Sequence, residues 1–134
     1  MDQGILCFFE KKPGALPLYE VFERKVFAEV GDVDVKVQKT QIAFANKLDA
    51  GKAKGYQFAF VSFAPVRKAK ERPEDYITVT FGLGHRVESP RIDAAVEPYP
   101  NRWTHHVLVA SEEEIDGELM GWVKAASEFS KGKK

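Results

Sequence analysis

Three histidines and one cysteine in 134 residues narrow the chemistry open to this chain. Histidine is the side chain that ordinarily titrates near neutrality, so His85, His105 and His106 are the first candidates for acid–base work. His105 and His106 are neighbours in 104–109, which reads as a strand, so they point to opposite faces and cannot chelate one metal. Alternation sends His105 with Val107 and Val109 toward a core and leaves His106 beside Thr104 on the other face. With no second cysteine and no histidine pair at helical spacing, neither a metal site nor a cofactor is expected. Cys7 lies among Ile5, Leu6, Phe8 and Phe9 and is expected to be a buried thiol with no activating partner. There is no Gly-x-Ser-x-Gly elbow, and Phe81-Gly82-Leu83-Gly84 lacks the lysine of a phosphate loop. No catalytic residue is assigned on these grounds.

One constellation survives. If Ile42 and Phe44 face the core, Lys39, Gln41, Ala43 and Ala45 face the other way. With Tyr76, Thr78, Thr80, Gly82, Thr104 and His106 they make a face of small and polar side chains, bordered by Tyr56, Phe58 and Phe60. A polar floor with aromatic walls suits a small ligand, a peptide or a partner protein. Lys39, Gln41, Thr80 and His106 are therefore the candidate ligand-binding residues. An ordinary solvated face, or a homodimer interface across the sheet, accounts for the same pattern. The loop 86–103 is the second candidate. There Arg86, Arg91, Arg102 and Trp103, with Tyr99, would set guanidinium and aromatic groups around a helix N-terminus suited to an anion. The competing explanation pairs the arginines with Glu88, Asp93 and Glu97 and uses the rings to pin the loop.

These groups need elements to position them. A short helix is predicted over 5–10, stopping at Lys12-Pro13-Gly14. A longer one runs from Leu16 to Val30, with Tyr19, Phe22, Val26 and Val30 on one stripe and Gly31 as its stop. Period-two alternation marks 32–38 as a strand, followed by strands at 39–45, 56–63, 76–83 and 104–109. Residues 49–55 read as a turn. Ser89-Pro90 reads as a cap and first position of a short helix reaching Val96. Ser111-Glu112-Glu113-Glu114 is a capping box opening a final helix, 112–129, whose apolar stripe is Ile115, Leu119, Trp122, Ala126 and Phe129. The expected architecture is α+β: a two-layer sandwich of about five antiparallel strands with two amphipathic helices on one face. It forms one domain, 1–130, with a basic tail at 131–134 expected to be disordered.

Four motifs in order carry a resemblance: Lys39-Thr40-Gln41-Ile42-Ala43-Phe44, then Glu88-Ser89-Pro90-Arg91-Ile92, then Thr104-His105-His106-Val107, then Asp116-Gly117-Glu118-Leu119 with Trp122. Over residues 5–127 the chain resembles a bacterial family catalogued as domain of unknown function 5655. Members of that family occur alone or fused to other domains, and some fusions carry the label of predicted transport protein. The resemblance implies a compact α+β domain in a bacterial cytosol and supplies no reaction. At Gly84-His85 the chain departs from the family's usual arginine-rich stretch, which weakens the anion-site reading of the neighbouring loop.

Composition excludes several classes. Hydrophobic residues make up 44% of the chain, ten of them phenylalanine, which is enough for a packed core and argues against disorder. Twenty basic residues balance twenty acidic ones, so no global charge draws the chain to nucleic acid or an anionic membrane. No apolar run approaches the roughly 20 residues a membrane span needs, and the cytoplasm is the default compartment. The function this supports is a non-catalytic module binding a small ligand or a protein on the open sheet face. One alternative is a small enzyme with His106 as general acid or base and Lys39 as its electrostatic partner. Another is a nucleic-acid-associated accessory domain using the basic run Lys52, Lys54, Arg67, Lys68, Lys70 and Arg72.

Overall fold

The computed structural model describes residues 3–47 and 57–131, so the turn expected at 49–55, Tyr56, Lys52, Lys54 and the end of the tail lie outside the described residues. Three helices are described: α1 (Gln3–Phe8), α2 (Leu16–Glu29) and α3 (Gly117–Lys131). The strands are β1 (Val33–Val37), β2 (Ile42–Asn46), β3 (Gln57–Ser62), β4 (Ile77–Leu83), β5 (Ala94–Tyr99) and β6 (Arg102–Val109). They form one antiparallel sheet in the order β1-β2-β3-β4-β6-β5.

Alternation decides the two faces. Phe44, Ala59, Phe81 and His105 are direct cross-strand neighbours, all with no exposed surface, and they form a row on the face that the helices cover. From α2, Phe22 meets Phe44 edge-on at 5.4 Å and Tyr19 lies 6.3 Å from the same ring. From α3, Trp122 stacks on Phe81 at 5.7 Å. Both long helices therefore share one face, and the α+β sandwich predicted from the two stripes is the fold.

The registers of the stripes differ from expectation in detail. On α3 the most buried positions are Leu119, Met120, Val123, Ala126, Ser127 and Ser130, while Trp122 and Phe129 sit half-buried at its margin. Serine reaches the core because the sheet offers it a partner. Ser127 donates to Asn46 Oδ1 at 2.6 Å, and Asn46 Nδ2 donates to the Ser127 carbonyl at 3.1 Å, a closed pair of hydrogen bonds between β2 and α3.

Two further expectations are corrected. Residues 90–96 are not a helix. Ser89-Pro90 lies in a turn, and the chain runs on into β5, whose Ala94, Ala95 and Val96 pair with His106, His105 and Thr104. The reason is tertiary: β6 has an edge with free backbone groups, and an edge strand satisfies them. Because β5 is largely exposed, Ala-Ala-Val-Glu-Pro-Tyr shows no alternation to read. The hairpin closes at Pro100-Asn101, where Asn101 takes the left-handed φ of 63° that asparagine tolerates.

The capping box also acts elsewhere than expected. Glu114 accepts the Ser111 and Ala110 amides at 3.1 and 2.7 Å, so the box organises a short 3-10 turn, Glu112–Glu114. The Ser111 hydroxyl lies 3.5 Å from the Glu114 carboxylate. The last helix begins two residues after Ile115, with Asp116 accepting the Leu119 amide at 3.1 Å as its cap.

Candidate functional site

The face opposite the helices is only partly open. Thr78 donates to the Ala64 carbonyl at 2.8 Å and Tyr76 to the Phe63 carbonyl at 3.1 Å, so the β3–β4 connection folds over that end of the sheet. Arg67 extends the cover to the far edge, where its Nε meets Asp93 at 2.7 Å. Asp93 in turn accepts the Leu108 amide at 2.7 Å, just beyond the last pairing of β5. What remains uncovered is an open cleft of about 880 Å³.

The floor of the cleft comes from three adjacent strands. Phe60, Thr80 and His106 are successive cross-strand neighbours, flanked by Ser62 and Thr104. Helix α1 and the residues after it supply one wall: Phe8 stacks on Phe63 at 5.2 Å and 21°, with Cys7 beside them. The lining also carries Glu10, Lys11 and Lys12 from the segment after α1, and Lys39, Thr40 and Gln41. Lys12 is held over aromatic rings, its Nζ 5.0 Å from the centre of Tyr76 and 5.8 Å from that of Phe63.

Lys39, Gln41, Thr80 and His106 thus line one cleft. Thr80 and His106 arrive by strand parity. Lys39 and Gln41 do not, because β2 begins only at Ile42; Lys39-Thr40 form the tip of the β1–β2 hairpin, closed by the Gln38 amide on the Gln41 carbonyl at 2.8 Å. Gln41 Nε2 also donates to Gln38 Oε1 at 2.9 Å, which fixes its side chain at the rim. Phe58, expected at the border, instead joins the core, since a bulge between Phe44 and Ala45 shifts its register.

The two neighbouring histidines have opposite environments. His105 is fully buried, stacked on Phe81 at 5.0 Å, and its Nε2 accepts the Val87 amide at 2.9 Å. That leaves the proton on Nδ1, which is buried and, among the described residues, meets no acceptor in good hydrogen-bond geometry, the Phe81 backbone included. Burial, with smaller repulsions from His85, His106 and Arg86, outweighs the pull of the Phe81 backbone and holds its pKa low. His106 is half-buried, and its Nδ1 lies 2.8 Å from the Thr80 hydroxyl, which serves either neutral tautomer. Burial holds its pKa below the ordinary value too, which favours the neutral ring.

Cys7 is exposed, contrary to the expectation of a buried thiol. Ile5 and Phe9, four residues apart, turn to the core, and that spacing leaves Cys7 on the cleft side of α1. Lys11, Lys12, Phe8 and Phe63 were missed by the sequence reading. Nothing local in Glu10-Lys11-Lys12-Pro13 says that α1 folds back beside the sheet; Ile5 and Phe9 in the core and the contacts of Phe8 and Phe9 with Phe63 bring it there.

The arginines of the loop 86–103 do not converge. Arg91 bonds Asp116 at 2.8 Å, Glu118 at 3.1 Å and the Glu114 carbonyl, and lies over Trp122. It ties β5 to the start of α3. Arg86 faces Glu88 at 3.6 Å and the Trp103 ring at 5.9 Å, and Arg102 lies over Phe129. The helix N-terminus they were expected to surround does not exist. Arg102 and Trp103 instead line a second, smaller cleft of about 460 Å³ with Tyr99 and Phe129.

Among the described residues no group of three or more His, Cys, Asp or Glu could hold a metal ion, and no helix is long and apolar enough to cross a membrane. The family model described as Domain of unknown function (DUF5655) matches residues 7–130. The chain belongs to that family. The match begins at Cys7, so it takes in Phe8 of the aromatic wall and every other residue that lines the cleft. No curated protein and no solved structure matches the chain.

Proposed function

We propose that this domain is a non-catalytic module that binds a small ligand in the cleft on its sheet face. One observation carries the reading: Lys39, Gln41, Thr80 and His106, drawn from a hairpin tip and two strands, line a single cleft of about 880 Å³. Its size suits a small organic molecule, and its aromatic wall and hydroxyl floor are the usual makings of such a site. A cytoplasmic setting accords with a lone thiol that has no partner for a disulfide within the chain. The test is a ligand-observed magnetic resonance screen of small-molecule fragments against wild type and His106→Ala. Hits that wild type binds and His106→Ala loses support the module. Hits indifferent to His106 and to Lys39 sink it.

A second reading, a small enzyme with His106 as general acid or base, is favoured by the Thr80–His106 contact at 2.8 Å. A neutral imidazole beside a hydroxyl can take a proton. No carboxylate among the hydrogen-bond partners of His106 orients the ring, which is why binding stands first. Turnover of an activated ester that disappears in His106→Ala, with folding intact, would reverse that order.

A further inference from the structure

The cleft is cationic in a chain that is not. The protein's formal charge is zero, yet among the described residues the charged side chains on the cleft lining are Lys11, Lys12 and Lys39 against Glu10. His106 adds little to this excess, since burial holds its pKa below the ordinary value. The cations sit at the rim, whereas the interior is built from the rings of Phe8, Phe60 and Phe63 and from hydroxyls. Phe8 and Phe63 are stacked at 21° with their centres 5.2 Å apart, so this wall of the cleft is a pair of rings packed face to face. Lys12 is pinned above that wall by its contacts with Phe63 and Tyr76.

We propose that the cleft takes a planar aromatic molecule bearing one carboxylate, its ring against the phenyl groups and its carboxylate among the rim lysines. The proposal rests on the reading of the cleft as a small-ligand site and narrows it to one class of molecule. Charge complementarity selects an anion, and a lining with three phenyl groups selects a ring over a flexible chain, since an aromatic ligand can meet them by stacked or edge-on contacts that an alkyl chain cannot make. A more highly charged anion fits worse. The lining offers no arginine fork for a phosphate, and Glu10 stands on the same rim as the lysines.

The experiment titrates isotopically labelled protein with naphthoate, naphthamide, octanoate and naphthyl phosphate, following backbone amides. Naphthoate is expected to move the amides of Phe60, Thr80 and His106. It should bind about tenfold more tightly than naphthamide, the scale of one hydrogen bond to a charged group. Lys12→Gln combined with Lys39→Gln should bring naphthoate down to the level of the amide, while naphthamide is unchanged in the same variant. The comparison of probes on wild type stands even if that variant fails to fold. Naphthamide, octanoate or naphthyl phosphate binding the cleft as tightly as naphthoate overturns the class and leaves the cleft a ligand site. If no probe moves the cleft amides, or all move amides elsewhere, the class and the small-ligand reading both fall.

Discussion

Asn46 and Ser127 close a buried, two-way hydrogen bond between β2 and α3, at 2.6 and 3.1 Å. Both side chains are nearly inaccessible to solvent. A buried polar atom left without its partner loses its hydration with nothing in return. Asn46→Ala strands the Ser127 hydroxyl and is expected to destabilise the fold by about 1–3 kcal/mol. Asn46→Ala with Ser127→Ala should cost less than the sum of the two single changes. Urea melts of the four proteins check this, and strict additivity would show that the pair is not coupled.

The start of α3 makes a prediction that the sequence alone ranks the wrong way. Ser111 has the better capping signature, yet the helix is capped by Asp116, which also receives Arg91 at 2.8 Å. Asp116→Ala should therefore cost about 0.5–2 kcal/mol. Ser111→Ala, which touches only a short 3-10 turn, should stay within about 0.5 kcal/mol of wild type. Equal losses in thermal or urea melts would contradict the assignment of the cap.

Gly84 approaches the end of α3 closely. A Cβ built there would lie 2.9 Å from the Phe129 ring. Phe129 is half-buried and lies under Arg102, so moving its ring disturbs that contact, and Gly84→Ala is expected to cost about 1–3 kcal/mol by overpacking. Adding Phe129→Leu to Gly84→Ala should recover part of that loss. A Gly84→Ala protein as stable as wild type would mean that the helix end yields at no cost.

Two windows of pH dependence follow from the shifted groups. His105 and His106 are held below their ordinary pKa by burial, so the unfolded chain takes up their protons first. Their contribution is level above the unfolded value near 6.5, and stability falls as pH drops below it through the lower folded values. Asp116 acts in a separate, more acidic window. Burial raises its pKa, but bonds from Arg91 and the Leu119 amide outweigh that and bring it below 3.8. Its contribution is present above that value and is lost as pH falls through the folded one. His105→Gln should flatten the upper window in denaturant melts between about pH 7 and pH 5 while leaving the acidic one in place. An unchanged upper slope in that variant would clear His105.

The faces of the sheet were legible in the sequence because strand parity is local. Val79 and Phe81 against Thr78 and Thr80, and Val107 against His106, needed no tertiary knowledge. β5 was not legible, since a mostly exposed edge strand has no burial pattern to impress on its residues. Its pairing is dictated by the free edge of β6, which lies outside the segment. Likewise Ser127 and Ser130 broke the apolar stripe of α3 because their burial depends on groups elsewhere in the chain. Half of the cleft shared this fate. Thr80 and His106 follow from alternation, but Phe8, Lys11 and Lys12 reach the site through tertiary contacts of the α1 end with Phe63, just after β3.

Lys39 and His106 separate binding from stability. Lys39 is exposed at a hairpin tip, so Lys39→Ala should change stability by no more than about 0.5 kcal/mol. His106→Ala gives up one hydrogen bond with Thr80 and should lose about 1 kcal/mol, leaving the domain folded at room temperature. Phe44→Ala is the contrasting control. That ring has no exposed surface and meets Phe22 edge-on, so its removal should cost about 3–5 kcal/mol. Both cleft variants are thus expected to melt near wild type and to bind ligand poorly, whereas Phe44→Ala melts far below it. Calorimetric melts, followed by a titration with a carboxylate fragment that wild type binds, read the two effects apart. If Lys39→Ala and His106→Ala melt like Phe44→Ala, both residues hold the fold and the cleft loses its claim to be a site. If they melt like wild type and bind like it, the fold survives the test and the proposed site does not.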